Sequence, residues 1–162
     1  MIAFSERIDD RAGVTATEKT PLVFIDKNVK IDAKTNQDEV LAKIVSPWKQ
    51  NNHNGIFQQD WAPALGTKTT LAFLDTHASG YLTKDEWPSN SPDLNPFDFS
   101  IWGYLEEKLK SKKISSLNSL RRQLIKAWND LDQSYLRRTI NSVVPRLEAC
   151  VKASGGHFEK FV

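Results

Sequence analysis

The sequence predicts an α/β domain that gives way to a cluster of helices in its second half. Short β-branched and aromatic runs alternate with amphipathic stretches as far as His77, and the periodic segments after Asn95 repeat at helical spacing. With 162 residues, 40% of them hydrophobic and 26% charged, the chain has the size of one ordinary domain.

Met1 to Lys19 carries little pattern and is assigned no element. After Pro21, the run Leu22-Val23-Phe24-Ile25 reads as a strand, and Val29-Lys30-Ile31, beyond the turn residues Asp26-Lys27-Asn28, reads as its return or continuation. Val40, Leu41, Ile44 and Val45 fall at helical spacing within Thr35–Val45, and Ser46-Pro47 ends that helix because the residue before proline is pushed out of the α region. Ile56 to Asp60 is a short strand ending in an acid. Leu71, Phe73 and Leu74 mark a helix over about 67–77. The turn-rich stretch Trp87 to Pro96 precedes a helix with Asn95 as its cap and Pro96 at its first position, where a missing N–H costs nothing, and this helix runs to about Lys110. Leu117, Leu120, Leu124, Ile125, Trp128 and Leu131 mark an amphipathic helix. Shorter helices follow around Tyr135–Asn141 and Pro145–Lys152, the last closed by Gly155-Gly156.

No run of eighteen or more apolar residues occurs, and the opening MIAFSERIDD turns acidic where a leader peptide would be apolar. The chain is therefore expected to be intracellular and not secreted, with no membrane partner. Cys150 has no second cysteine to pair with, and His53, His77 and His157 are too far apart for zinc-site spacing. No small-molecule cofactor is indicated.

The net charge of +2 conceals an asymmetry. Residues 1–103 carry 10 basic and 14 acidic side chains, a balance of −4, and residues 104–162 carry 12 and 6, a balance of +6. A polyanion-binding face and a solvated helical surface both give this count. Lys108, Lys110, Lys112 and Lys113 cluster at a helix end, where cations also complement the dipole, and Arg121-Arg122 and Arg137-Arg138 lie on later helices.

Two acids occupy unusual places. Asp60 sits where a strand leaves a sheet, the edge at which open α/β sheets put their sites, and it also reads as a turn or capping aspartate. Asp98 heads a helical face that continues through Trp102, Leu105 and Leu109, so it is either a first-turn aspartate favoured by the dipole or a ligand directed into a cleft. A pair of carboxylates is the kind of donor set that Mg²⁺ takes in two-metal phosphoryl transfer, usually completed by a third carboxylate that bridges the metals.

At these residues the sequence resembles the mariner superfamily of transposases. FQQDWAPA at 57–64 resembles the family's second-aspartate motif, and WPSNSPDLNPFDFSIWGYLEEKL at 87–109 resembles its third-acid motif. Residues 61 to 97, 37 in all, separate the two acids, a gap that fits the aspartate-ending branches. Weaker similarity reaches back to Gly13-Val14 and TEKTPLVFID at 17–26, and forward to RLEACVKASGGHFEKF at 146–161. The resemblance implies an RNase H-like catalytic core with Asp60 and Asp98 as catalytic and metal-binding residues for Mg²⁺ or Mn²⁺. It also implies DNA cleavage and strand transfer at transposon ends and target, in the nucleus, and pairing of the chain with itself or with full-length transposase. On this reading Lys108, Lys110, Lys112, Lys113, Arg121 and Arg122 contact nucleic acid, and KLKSKK also has the composition of a nuclear address.

The pattern departs from the family in three places. The family's first strand, with its aspartate, lies upstream of the PLVF-type strand and finds no apolar counterpart here. Asp9 and Asp10 are stand-ins in a polar stretch, and FSER at 4–7 matches only the rim of the family's first motif. The family's helix-turn-helix region is not matched. Beside Asp60, Trp61 and Leu65 replace a common asparagine and histidine, which threatens hydrogen bonding around a metal. Asp26 ends a strand and reads either as a turn residue or as a further acid near the site.

The expected organisation is a poorly patterned segment over 1–19, a partial RNase H-like core over 20–113 with its first strand missing, and C-terminal helices over 114–162. A sheet lacking an interior strand is expected to be marginally stable. The expected function is a truncated catalytic domain, inactive alone and binding nucleic acid. The alternative is a co-opted module that binds DNA or full-length transposase, or a relic without function.

Overall fold

A computed structural model describes residues 9–25, 41–45, 55–61, 67–87 and 91–162. They belong to two compact units, Met1–Gly13 with Thr20–Asn90 and Val14–Lys19 with Ser91–Val162.

The first unit contains the strand pair. β1 (Asp9–Arg11) runs antiparallel to β2 (Val23–Ile25), with Asp9 opposite Ile25 and Arg11 opposite Val23. Towards the turn, Thr20 N–H donates to the Gly13 carbonyl at 2.9 Å, and Gly13 N–H donates to Thr20 Oγ1 at 2.8 Å. Between these two pairings the second strand carries one residue more than the first. The surplus falls at Pro21-Leu22, where proline has no N–H to give to a ladder. Gly13 is required by a close approach, because a Cβ there would stand 3.0 Å from Ile44 Cγ2. Ile44, in the helical stretch 41–45, is buried with Ile25, and Val23 packs on the pair.

β1 falls within the stretch 1–19 to which the sequence assigns no element. A polar Asp-Asp-Arg triplet has no strand signature of its own, and its pairing is supplied by the apolar partner strand. The expected return strand at 29–31, Asp26, FSER at 4–7, Leu65 and most of the expected helix over 35–45 lie outside the described residues.

Further along this unit, Phe57 and Tyr81 form a parallel bridge. Phe57 N–H donates to the Gly80 carbonyl at 2.8 Å, and Leu82 N–H donates to the Phe57 carbonyl at 3.0 Å. Parallel pairing needs a crossover, and α1 (Lys68–His77) supplies it. Thr67 caps this helix, its Oγ1 accepting from Thr70 N–H at 3.3 Å, and Leu74 and Thr70 are fully buried. Of the strand expected at 56–60 the structure shows a single bridge at Phe57, joined to Tyr81 across α1.

The second unit is helical. A 3₁₀ turn at Pro92–Leu94 leads to Asn95, whose Oδ1 accepts from Phe97 N–H at 3.2 Å and whose carbonyl accepts from Asp98 and Phe99 N–H at 3.0 Å. Pro96 opens the helix as the sequence predicts. Its first turn, Phe97–Ile101, is a π turn, with Trp102 N–H bonded to the Phe97 carbonyl, and α2 (Trp102–Lys110) continues from it. α3 (Leu117–Asp130) is capped by Ser116 and α4 (Gln133–Asn141) by Asp132. α5 (Val143–Lys152) takes Pro145 in its first turn and stops at Ser154 and Gly155, both with positive φ, where Gly155 N–H closes on the Cys150 carbonyl at 3.0 Å. Leu94, Ile101, Leu105, Leu109, Leu120, Leu124, Trp128 and Leu136 are buried in this unit. No helix among the described residues is long and apolar enough to cross a membrane.

The hairpin tip Val14–Lys19 belongs with these helices. Lys19 Nζ donates to the carbonyls of Trp128 and Leu131, each at 2.5 Å, and of Asn129 at 3.2 Å. These oxygens lie at the C-terminal end of α3, where carbonyls outnumber backbone donors, and that of Trp128 also accepts from Leu131 N–H at 3.2 Å.

Candidate metal centre and nucleic-acid interface

Asp60 stands in the first unit, three residues past Phe57 and therefore on the carboxyl side of a parallel bridge. That is the edge where α/β sheets place ligands. Its side chain is exposed. The next residue, Trp61, turns the other way, with only 4% of its surface accessible and its ring tilted against Tyr81 at 6.3 Å. Trp61 Nε1 is buried with no hydrogen-bond partner among the described residues, so the bulk packs while the polar atom goes unmatched. Tyr81 gives its hydroxyl proton to Asp75 at 2.7 Å, a bond that raises the phenol pKa.

Asp98 stands in the second unit, inside the π turn and also exposed. The sequence places it at the head of the Trp102, Leu105 and Leu109 face. In the structure the buried face is Ile101, Leu105 and Leu109, with Trp102 half-buried and Asp98 outside it. The wide turn takes one residue more than an α turn, and this rotates the residues preceding it off the α-helical register. Phe97, Phe99, Ser100 and Ile101 of the turn are each engaged within the unit. Phe97 lies at 5.1 Å from Trp102 and at 6.4 Å, nearly parallel, from Trp128 of α3. Phe99 lies under the Arg146 guanidinium of α5 at 4.0 Å. Ser100 Oγ shares hydrogen bonds with Tyr135 Oη at 2.8 Å and Thr139 Oγ1 at 3.1 Å, both of α4. Ile101 is fully buried. Local periodicity carries no trace of the contacts to Trp128, Tyr135, Thr139 and Arg146, which lie tens of residues away.

Exposed carboxylates at a strand end and in a first helical turn are hard oxygen donors of the kind Mg²⁺ and Mn²⁺ accept, so the donor chemistry fits. Among the described residues no group of three or more His, Cys, Asp or Glu is gathered. Asp9 and Asp10, the sequence's stand-ins for a third acid, are placed by their backbone in β1.

The basic candidates follow the end of α2 and the face of α3. Lys110 pairs with Glu107 at 2.5 Å, both exposed, and this bond raises the lysine pKa. Lys108 lies 5.3 Å over the Tyr104 ring. Lys112, Lys113 and Arg122 are exposed, and Arg121 is half-buried. Lys110 therefore fits the solvated-helix alternative, while Lys112, Lys113 and Arg122 remain accessible to an anion.

No protein-family model matches the sequence. The chain is 30% identical over 120 residues to the Tcb1 transposase of Caenorhabditis briggsae, an alignment covering 73% of this chain and 42% of that protein. It is 30% identical over 143 residues to the Tc1 transposase of Caenorhabditis elegans, covering 87% of this chain and 50% of that protein. The chain is a homologue of the Tc1/mariner transposases. It spans half or less of the length of these two curated relatives. Among solved structures, the catalytic domain of Mos1 mariner transposase superposes with a TM-score of 0.72 at 20% identity, covering 94% of this chain and 82% of that one. A Mos1 paired-end complex with Mn superposes with a TM-score of 0.78, covering 91% of this chain and 44% of that one. The fold of this Tc1/mariner homologue is thus the RNase H-like fold of the Mos1 catalytic domain, as the two motifs imply.

Proposed function

We propose that this Tc1/mariner homologue is the DNA-handling part of a transposase catalytic domain, with Asp60 and Asp98 as its Mg²⁺ or Mn²⁺ ligands, acting in the nucleus. The observation that carries the reading is the placement of the two acids. Each is exposed, one three residues past the bridging Phe57 and one in the first turn leading into α2, and this accessibility supports the ligand role that the two motifs imply. Mos1 structures include complexes with the left transposon end, with Mg and with Mn, and they support divalent metal and DNA as the ligand classes.

Bound metal would activate an attacking oxygen and stabilise the leaving one at a DNA phosphorus. Asp60 and Asp98 would each supply a carboxylate as ligand. Lys112, Lys113 and Arg122 would hold backbone phosphates without reading sequence. On its own the chain binds DNA and does not cut it. Trp61 supports this second clause, because beside Asp60 it offers packing where the family commonly has an amide. The same observation favours a second reading, a co-opted module that pairs with full-length transposase.

Fluorescence anisotropy with labelled duplex DNA, run beside a nicking assay in Mg²⁺, tests the proposal. Binding should be sequence-independent, and its salt slope should shrink by about one for each phosphate-contacting lysine removed, as in Lys112→Ala. Absence of binding at about 50 mM salt would contradict it.

A further inference from the structure

We infer that the hydroxyl cluster Ser100–Tyr135–Thr139 is a positioning device for Asp98, with Tyr135 and Thr139 acting on the metal ligand through the π turn. The inference rests on Asp98 being a metal ligand, as proposed above, and adds what holds it in place.

A π turn is an uncommon way to begin a helix, and single π turns concentrate at functional sites. Here the wide turn sets Asp98 outside the face that buries Ile101, Leu105 and Leu109. Three C-terminal helices grip its other residues, α3 through Phe97, α5 through Phe99 and α4 through Ser100. The first two contacts are ring packing. The third is directional: the half-buried Ser100 Oγ lies 2.8 Å from Tyr135 Oη and 3.1 Å from Thr139 Oγ1, and Tyr135 Oη also reaches the Ser100 carbonyl at 3.4 Å. Hydroxyl bonds on a residue two positions from Asp98 fix the rotation of the turn, and with it the carboxylate, in a way that apolar packing does not. Groups that orient metal ligands from outside the coordination shell typically govern affinity by about 10–100-fold.

Calorimetric titration of the full chain with Mn²⁺, alongside thermal unfolding, reads this directly. Tyr135→Phe and Thr139→Val each remove one bond to the same Ser100 hydroxyl while keeping most of the packing volume, so a folded sample of either decides the matter. The Mn²⁺ Kd should rise about tenfold in both. It should return to the wild-type value in Thr139→Ser, and should stay unchanged in Tyr104→Phe, a neighbouring tyrosine whose hydroxyl bonds Asp130 and not the turn. Wild-type affinity in Tyr135→Phe and Thr139→Val, with affinity lost in Asp98→Ala, would overturn the positioning role alone. Unchanged affinity in Asp98→Ala would remove the metal reading of Asp98, and the positioning role with it.

Discussion

Arg146 lies over Phe99, its guanidinium carbon 4.0 Å from the ring centroid, while Nη1 donates to the Asp93 carbonyl at 2.8 Å. One side chain of α5 thereby ties the π turn to the 3₁₀ turn before it. Lysine keeps the charge but lacks the planar fork that stacks and donates together. Arg146→Lys is therefore expected to destabilise the chain by about 2 kcal/mol, a cation–π contact plus a charged hydrogen bond, read as a lower urea midpoint. An unchanged midpoint would show the contact to be passive.

Lys19 fastens the hairpin tip to the end of α3. Burial lowers its pKa from 10.5 while Asp130 and Asp132 pull the other way, so the ammonium is held at a desolvation cost that three carbonyls offset. Its Nζ also lies 5.7 Å over the Trp128 ring. Lys19→Met keeps the stem and leaves the carbonyls without their donor, with an expected loss of about 2 kcal/mol in chemical denaturation. Equal stability would mean that water replaces the ammonium at no cost.

Asp132 caps α4, accepting from Ser134 Oγ at 2.6 Å and from Tyr135 N–H at 2.9 Å, and these bonds hold its pKa below 3.8. A carboxylate depressed in the fold contributes stability that is complete above its unfolded pKa and is lost as pH falls through the lower folded value. Asp132→Asn retains the capping oxygen but not the charge. The variant should melt below the wild type near neutral pH, and the gap should close at lower pH as Asp132 passes through its depressed pKa. A gap that persists at the lower pH would assign the effect to packing.

The elements that local chemistry dictates were legible. Thr67, Asn95-Pro96 and Gly155 mark helix ends because each satisfies or spares a backbone group within a few residues of itself. What escaped is non-local. β1 owes its existence to an apolar partner strand, and Lys19 to carbonyls more than a hundred residues ahead. The face of Asp98 was misread because periodicity at 3.6 residues assumes an α turn where the chain makes a π turn. Position and the two motifs single out both acids in the sequence, while Tyr135 and Arg146 carry no local signal of their contacts with the π turn.

Calorimetric titration of the purified chain with Mn²⁺, repeated on Asp60→Ala and Asp98→Ala with folding checked by circular dichroism, decides whether the two acids bind a divalent metal as proposed. The wild type should bind saturably, and both variants should lose that binding. Wild-type binding in either folded variant, or none in the folded wild type, would overturn the assignment.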